Sequence, residues 1–478
     1  MSYKVAIAGA GPGGALLARE LARNGIEVTI YEKNSYDELG HDWSDAVEVE
    51  ALKAAGIDMP LLEGLQWKGK LVKEISGGEG VFEKHAVPRL RVYSPGRKNY
   101  KDIDFKMITT DRRRLGQLLV DHAEAVGAVV KYGYEAKGLL FRENGKKGLE
   151  GVEVYGLVLR DLNKGSEEKI EADVIVESSG FHCVLRNSLP THTGLADLFT
   201  DSDFALVHRE VRPYRPETEA ESIEPGSSAA IIPDHYRYGY NSGYQWTHLH
   251  NEESIDVGAG VKSDMPGVDP QEIIEAFIAE HPAIRPGRIR GGRSLCIVGR
   301  PLLSFVAHGF LVLGDAASTS VPTTGCGVGS AIFAALGASE VLNEAALEKR
   351  NDLDKLWAIN KKFYLDSHRG PSFAALSELR IMLQTLSHEE LDFLFSKDLL
   401  DKATLQDAIN GHFSPPSIAK KIKSFQSGLT RPGILLKLNR AVGNAAKVYE
   451  HYRNYPSAWD AAAYEKWKNR ALELLTAT

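Results

Sequence analysis

A glycine-rich turn at the very start of the chain restricts its fold more than any other feature. Residues 3–8 (YKVAIA) read as a short buried parallel strand, and Gly9-Ala10-Gly11-Pro12-Gly13-Gly14 follows at once. A helical run over 15–24 and a second strand over 27–31 come next, closed by Glu32 and Lys33. In such a unit Gly9 permits the tight turn, Gly11 lets backbone approach a pyrophosphate, and Gly14 lets the helix pack close on the strand. The free N–H groups at the helix start attract negative charge. Glu32, 23 positions beyond Gly9, can accept hydrogen bonds from ribose hydroxyls and favours an adenosine without a 2′-phosphate. A glycine triplet alone is a weak signal. With strand, helix and acid in register it predicts a dinucleotide site, without saying which dinucleotide.

A second strand-and-turn unit lies far downstream. Residues 309–313 (GFLVL) run into Gly314-Asp315-Ala316-Ala317, then Pro322, Gly325, Cys326, Gly327 and Val328 lead into a helix rich in small residues. An aspartate at a strand end can take two hydroxyl hydrogen bonds, and a helix start favours an electron-rich group. The segment resembles the second FAD fingerprint of the glutathione-reductase and para-hydroxybenzoate-hydroxylase superfamily. That resemblance implies non-covalent FAD, with Asp315 on the ribityl hydroxyls and Gly325, Gly327 and Val328 beside the isoalloxazine. A plain NAD enzyme would need only the first motif. Thr110-Asp111-Arg112-Arg113-Arg114-Leu115 opens a helix running to 125, and Arg112 best matches the superfamily arginine that approaches FAD. Glu177-Ser178-Ser179-Gly180, followed by Arg186, resembles the third motif with its usual Asp-Gly replaced.

The segment Tyr244-Gln245-Trp246-Thr247-His248-Leu249, with Gly258-Ala259-Gly260 after it, bears on the reaction. Tyr244, Trp246, His248 and His250 share one face of a strand, since side chains alternate. Such a face can wall an apolar cavity holding a proton donor. It equally suits core aromatics with histidines capping the strand end. The pattern is similar to the Tyr-x-Trp-x-Phe-Pro … Gly-x-Gly signature of the geranylgeranyl reductase family of FAD-dependent oxidoreductases, with His248-Leu249 in place of Phe-Pro. The resemblance implies reduction of a carbon–carbon double bond in a small apolar, prenyl-like or enoyl substrate. FAD would be reduced by NAD(P)H or a low-potential donor, including an electron-donor protein. His41 or Asp42, in Gly40-His41-Asp42-Trp43, is a further acid–base candidate, against an ordinary surface loop, and Cys326 would sit near the flavin, as a tuning thiol or as filler. The alternative is an NAD(P)H-dependent flavin monooxygenase hydroxylating an aromatic or apolar substrate. A third reading is a flavin-binding protein without turnover.

The expected architecture is α/β. A Rossmann-like FAD-binding domain (1–35, 105–190 and 285–345) carries an inserted antiparallel β-sheet substrate domain (36–104 and 191–284) and a C-terminal helical region (346–478). Within the first unit, segments at 139–143, 152–159 and 169–172 suggest an antiparallel meander. Strands are expected at 204–211, 228–233, 236–250 and 254–261, and helices and loops over 36–104. Pro415-Pro416 and Pro432-Gly433 break the helical region. Residues 434–449 form an amphipathic helix that suits packing on the body or peripheral contact with a membrane.

The 478 residues carry a net charge of −7 and three cysteines, Cys183, Cys296 and Cys326. The balance gives nucleic acid no foothold, and the spacing offers neither a zinc nor an iron–sulfur site. No apolar run spans a bilayer and no leader precedes the first strand, so a cytoplasmic protein is expected.

Overall fold

The computed structural model describes residues 2–57, 82–196, 199–215, 227–231, 243–251, 253–415 and 431–475. The chain opens with β1 (Lys4–Ala8), α1 (Pro12–Ala22) and β2 (Glu27–Glu32). Next come β3 (Ser44–Glu48), α2 (Val49–Ala54) and a long hairpin of β4 (Phe82–Tyr93) and β5 (Tyr100–Asp111). Helix α3 (Arg112–Ala125) leads to β6 (Val129–Tyr132), the meander β7 (Tyr134–Glu143), β8 (Val152–Asp161) and β9 (Glu167–Glu171), and then β10 (Val174–Glu177). After these follow β11 (Phe204–Pro213), β12 (Ser227–Ile231), β13 (Gly243–Asn251), β14 (Ser254–Lys262), α4 (Pro270–Glu280) and β15 (Arg290–Ile297). β16 (Val306–Ala307), β17 (Phe310–Val312) and α5 (Val328–Glu348) complete the mixed part. The rest is helical: α6 (Leu353–Lys361), α7 (Arg369–Leu383), α8 (His388–Ser396), α9 (Lys402–Ile409), α10 (Pro432–Arg453) and α11 (Ala461–Leu475).

Three sheets organise these elements. The first has the order β16-β17-β10-β1-β2-β6, parallel except at β16. β10 and β17 are buried at every residue, as strands covered on both faces must be. The second sheet has the order β15-β11-β14-β13-β12-β4-β5-β3, and the meander forms the third. α1 packs against α3 and α5 on the first sheet, where a Cβ on Gly13 would stand 3.5 Å from Ala331.

Several elements differ from the sequence reading. The first helix starts at Pro12, inside the glycine loop, because proline is pre-set for a first helical turn. The 36–104 stretch was expected to be helices and loops, yet β3, β4 and β5 form one flank of the second sheet. Their apolar alternation (Leu90, Val92 and Ile103 are buried) is masked by charges that pair across the other face, as Arg91 does with Asp102 at 2.8 Å. β15 joins the second sheet although its residues fall in the range assigned to the nucleotide unit; Gly291 and Gly292 break its alternation. Parts of the expected strands at 232–233 and 236–242, together with Pro416 and the His250 side chain, lie outside the described residues.

Candidate active site

The site grows from the carboxyl ends of β1, β2 and β10, where strand order reverses and open α/β sheets take ligands. Gly9 adopts φ 101°, and a Cβ there would overlap the Ser178 carbonyl. Gly14 lies against the Gly9 carbonyl in the same way. α1 begins behind Gly11 and α5 behind Gly327, neither with a side chain capping its first N–H groups. By contrast α3, α4, α6, α8 and α9 each carry a cap from their own Asp or Ser. Two bare helix starts on one cleft suit electron-rich ligand groups.

That cleft encloses ≈ 700 Å³. Its lining brings together Gly9, Gly11, Pro12, Gly13, Glu32 and Lys33 from the first motif with Gly314, Asp315, Gly325, Cys326, Gly327 and Val328 from the second. Arg112, His41, Tyr244, Trp246 and His248 line it too, whereas Gly14 sits behind the turn. The Glu32 carboxylate accepts from the Ala10 N–H at 2.8 Å and the Asn34 N–H at 2.9 Å. A carboxylate has about four acceptor positions, so ribose hydroxyls can still be received. Asp315 accepts from the Ser320 hydroxyl at 2.8 Å, and burial raises its carboxyl above the usual range. Further hydroxyl donors would relieve that cost. The guanidinium of Arg112 pairs with Asp45 at 2.9 Å, and its Nε has no partner. These features fit FAD.

The facing wall is β13. In register, Trp246 lies beside Gly258 and Tyr244 beside Gly260, while Arg209 on β11 flanks Gly258 from the other side. A Cβ on Gly258 would fall inside the indole. The glycine pair is therefore a bed for the flat indole. The indole N–H donates to Asp256 at 3.2 Å, Arg209 stands 5.4 Å over the ring, and the same guanidinium grips Asp256 through Nε at 3.1 Å and Nη2 at 2.5 Å. Arg209 also reaches Asp45 at 3.4 Å, so one ion-pair chain links the aromatic wall to Arg112. Leu90, Val92, Leu383, Leu391 and Ile409 make the lining apolar beyond Trp246.

Proton inventories differ among the candidate acids. Tyr244 donates to the Thr324 carbonyl at 2.7 Å, and burial pushes its phenol well above the usual value. The Cys326 thiol is pushed up to about 12, chiefly by burial. Both groups stay protonated at neutral pH. His41 stacks on Trp43 at 4.2 Å; its ring is accessible from the cleft, yet the surrounding protein and then Arg112 hold it down to about 4. It is neutral at neutral pH. His248 is buried and bonds the Thr109 hydroxyl through Nε2 at 2.5 Å.

Sequence reasoning missed Trp43, Asp45, Thr109, Arg209 and Asp256. Strand parity could have exposed two of them: Asp256 shares a face with Gly258 and Gly260, and Arg209 follows the cavity-lining Val207. The third-motif segment does local work, because the buried Glu177 carboxylate accepts from the Leu185 and Arg186 N–H groups at 2.7 and 2.8 Å. The 434–449 segment lies within α10, which packs on α7 and buries Ile434, Leu435, Leu438 and Ala441. Among the described residues no helix is long and apolar enough to cross a membrane, and no His/Cys/Asp/Glu cluster is placed to hold a metal.

The FAD binding domain family matches residues 2–352. A digeranylgeranylglycerophospholipid reductase of Sulfolobus acidocaldarius is 24% identical over 480 residues, covering 100% of this chain and 98% of that protein. One from Methanothrix thermoacetophila is 25% identical over 406 residues, covering 82% and 90%. Among solved structures, a geranylgeranyl bacteriochlorophyll reductase-like protein from Thermoplasma acidophilum superposes with a TM-score of 0.69 at 18% identity, over 92% of this chain and 99% of its own.

Proposed function

Because the chain belongs to the FAD binding domain family, we propose that it is a flavin-dependent reductase saturating a carbon–carbon double bond of an apolar, prenyl-like or enoyl substrate. The observation that carries this reading is the continuity of one cleft from the dinucleotide loops to an apolar chamber walled by Tyr244 and Trp246. The curated relatives above are named as reductases of a digeranylgeranyl phospholipid, which supports an extended apolar substrate. FAD, when bound, supplies a hydride equivalent.

The chain's own residues do the rest. Gly9–Gly13, Glu32 and Lys33 receive the adenosine and pyrophosphate, while Asp315 and Arg112 fix the redox end. Trp246, flat on Gly258, presents an apolar face that orients an alkene, and the Leu90, Leu391 and Ile409 side chains exclude water from it. The second hydrogen is a proton. The Cys326 S–H and Tyr244 O–H hold protons within the cleft at neutral pH, and His41, unprotonated there, is not an imidazolium donor. We assign reduction of the flavin to NAD(P)H or a low-potential donor, including an electron-donor protein.

The test is anaerobic. Reduced protein should be reoxidised by prenyl or enoyl compounds with loss of a double bond, read by absorbance and product mass. Reoxidation only by oxygen together with an aromatic compound, giving a hydroxylated product, would replace the reductase by a monooxygenase.

A further inference from the structure

Arg290 opens β15 and stands outside the lining of the cleft. The pairing order of the second sheet places β15 at one edge and β3 at the other. Side chains nevertheless bridge these two edges. The Arg290 guanidinium donates through Nη1 to the Asp111 carboxylate and through Nη2 to the Ser44 hydroxyl. Asp111 and Ser44 face each other across the β3–β5 ladder, so one guanidinium clasps a single cross-strand pair on the opposite edge. Arg209 on β11, the neighbour of β15, adds a second rung to Asp45 on β3 at 3.4 Å. The sheet is therefore curled until its edges meet. Gly291, directly after Arg290, adopts φ 132°, and a Cβ there would overlap the Arg209 carbonyl. The backbone beside the clasp is thus one that requires glycine.

What the clasp holds is the setting of Arg112. That guanidinium lines the cleft and pairs with Asp45 at 2.9 Å, while the Arg112 backbone N–H donates to the Trp43 carbonyl at 3.1 Å. Ser44, fully buried, stands between those two partners in the chain, and Asp111 immediately precedes Arg112. The Asp111 carboxylate also caps α3, accepting from the Arg113 and Arg114 N–H groups at 3.0 Å each. Arg290 thus grips the residue before Arg112 and the residue between its two partners. We propose that Arg290 is a positioning residue for the flavin: by clasping Asp111 and Ser44 it fixes Arg112 against Asp45, and so sets the midpoint potential of the bound cofactor. The inference rests on the reading that Arg112 fixes the redox end of the cleft, and it is independent of which compound is reduced. A cation held beside a flavin favours the electron-rich reduced form, so a displaced Arg112 lowers the potential.

The test measures the midpoint potential of bound FAD in FAD-loaded protein without substrate. Arg290→Met should weaken binding of reduced FAD about tenfold more than binding of oxidised FAD, which lowers the potential of a two-electron couple by about 30 mV. Ser44→Ala, which changes no charge and is milder on the fold, should shift the potential the same way by less. Arg112→Met should lower it at least as far as Arg290→Met, and combining the two should move it no further. A second drop of full size in the double variant overturns the proposal, since Arg290 would then act through space as a bare charge. If Arg112→Met lowers the potential while Arg290→Met and Ser44→Ala lose melting temperature at the wild-type potential, the proposal is also overturned, and Arg290 only fastens the sheet. If Arg112→Met itself keeps the wild-type potential, Arg112 is not at the redox end, and the proposal falls together with the reading beneath it.

Discussion

Gly258 is kept bare by the ring laid across it. Gly258→Val would push its side chain into the Trp246 indole, and overpacking of this kind costs about 1–3 kcal/mol. The nucleotide loops lie on the other wall, so the variant should purify yellow and lose turnover by tenfold or more, read as flavin content against the rate of reoxidation. His41 gives a pH prediction. Its proton affinity is ordinary in the unfolded chain, near 6.5, but held down to about 4 in the folded one. The unfolded state therefore binds the proton first as pH falls. The stability that His41 contributes is intact above pH 6.5 and is lost between 6.5 and 4. Melting curves across that window should fall more steeply for wild type than for His41→Gln; identical slopes would remove His41 from the account. At this scale Tyr244 and Trp246 were legible, because alternation along one strand puts them on one face. Arg209 and Asp256 were not, because their meaning lies in partners on neighbouring strands.

Elements are joined by what crosses them. Arg209 on β11 and Asp256 on β14 are both buried, and two guanidinium nitrogens converge on one carboxylate oxygen, so they pin the two strands behind the aromatic wall. Removing one partner strands the other without solvent; Asp256→Ala should cost about 3–5 kcal/mol. The double variant Arg209→Met/Asp256→Leu should recover most of that in urea denaturation, since packed apolar groups replace a buried pair at little cost. A double variant no better than the single would point to backbone damage instead. Strands β1, β2, β10 and β17 could be read from continuous apolar runs. The β4–β5 hairpin could not, because cross-strand ion pairs on its outer face give it the composition of a loop.

Across the whole molecule, the cleft depends on turns about three hundred residues apart: Gly9–Gly13 and Gly314–Val328 meet over the same ≈ 700 Å³. Asp315→Ala should reduce the flavin retained on purification by at least an order of magnitude, measured as the 450-to-280 nm absorbance ratio, and the melting temperature of the variant should become insensitive to added FAD. A fully loaded variant would move the flavin contact elsewhere. The nucleotide half was legible because its glycines answer to backbone geometry. The chamber was less so, since Leu383, Leu391 and Ile409 come from helices whose docking no local pattern announces.

One junction in the second sheet carries a kinetic consequence. β12 runs parallel to β4, whereas every other described pairing in that sheet is antiparallel. Antiparallel neighbours close early through short turns, but this seam joins segments more than a hundred residues apart, which makes it slow to form. Leu90 and Val92 on one side and Tyr244 and Trp246 on the other line the chamber across it. An apolar ligand bound along this wall would therefore act as a splint, and amide deuterium uptake along β4 and β12 should slow on binding more than anywhere else in the sheet.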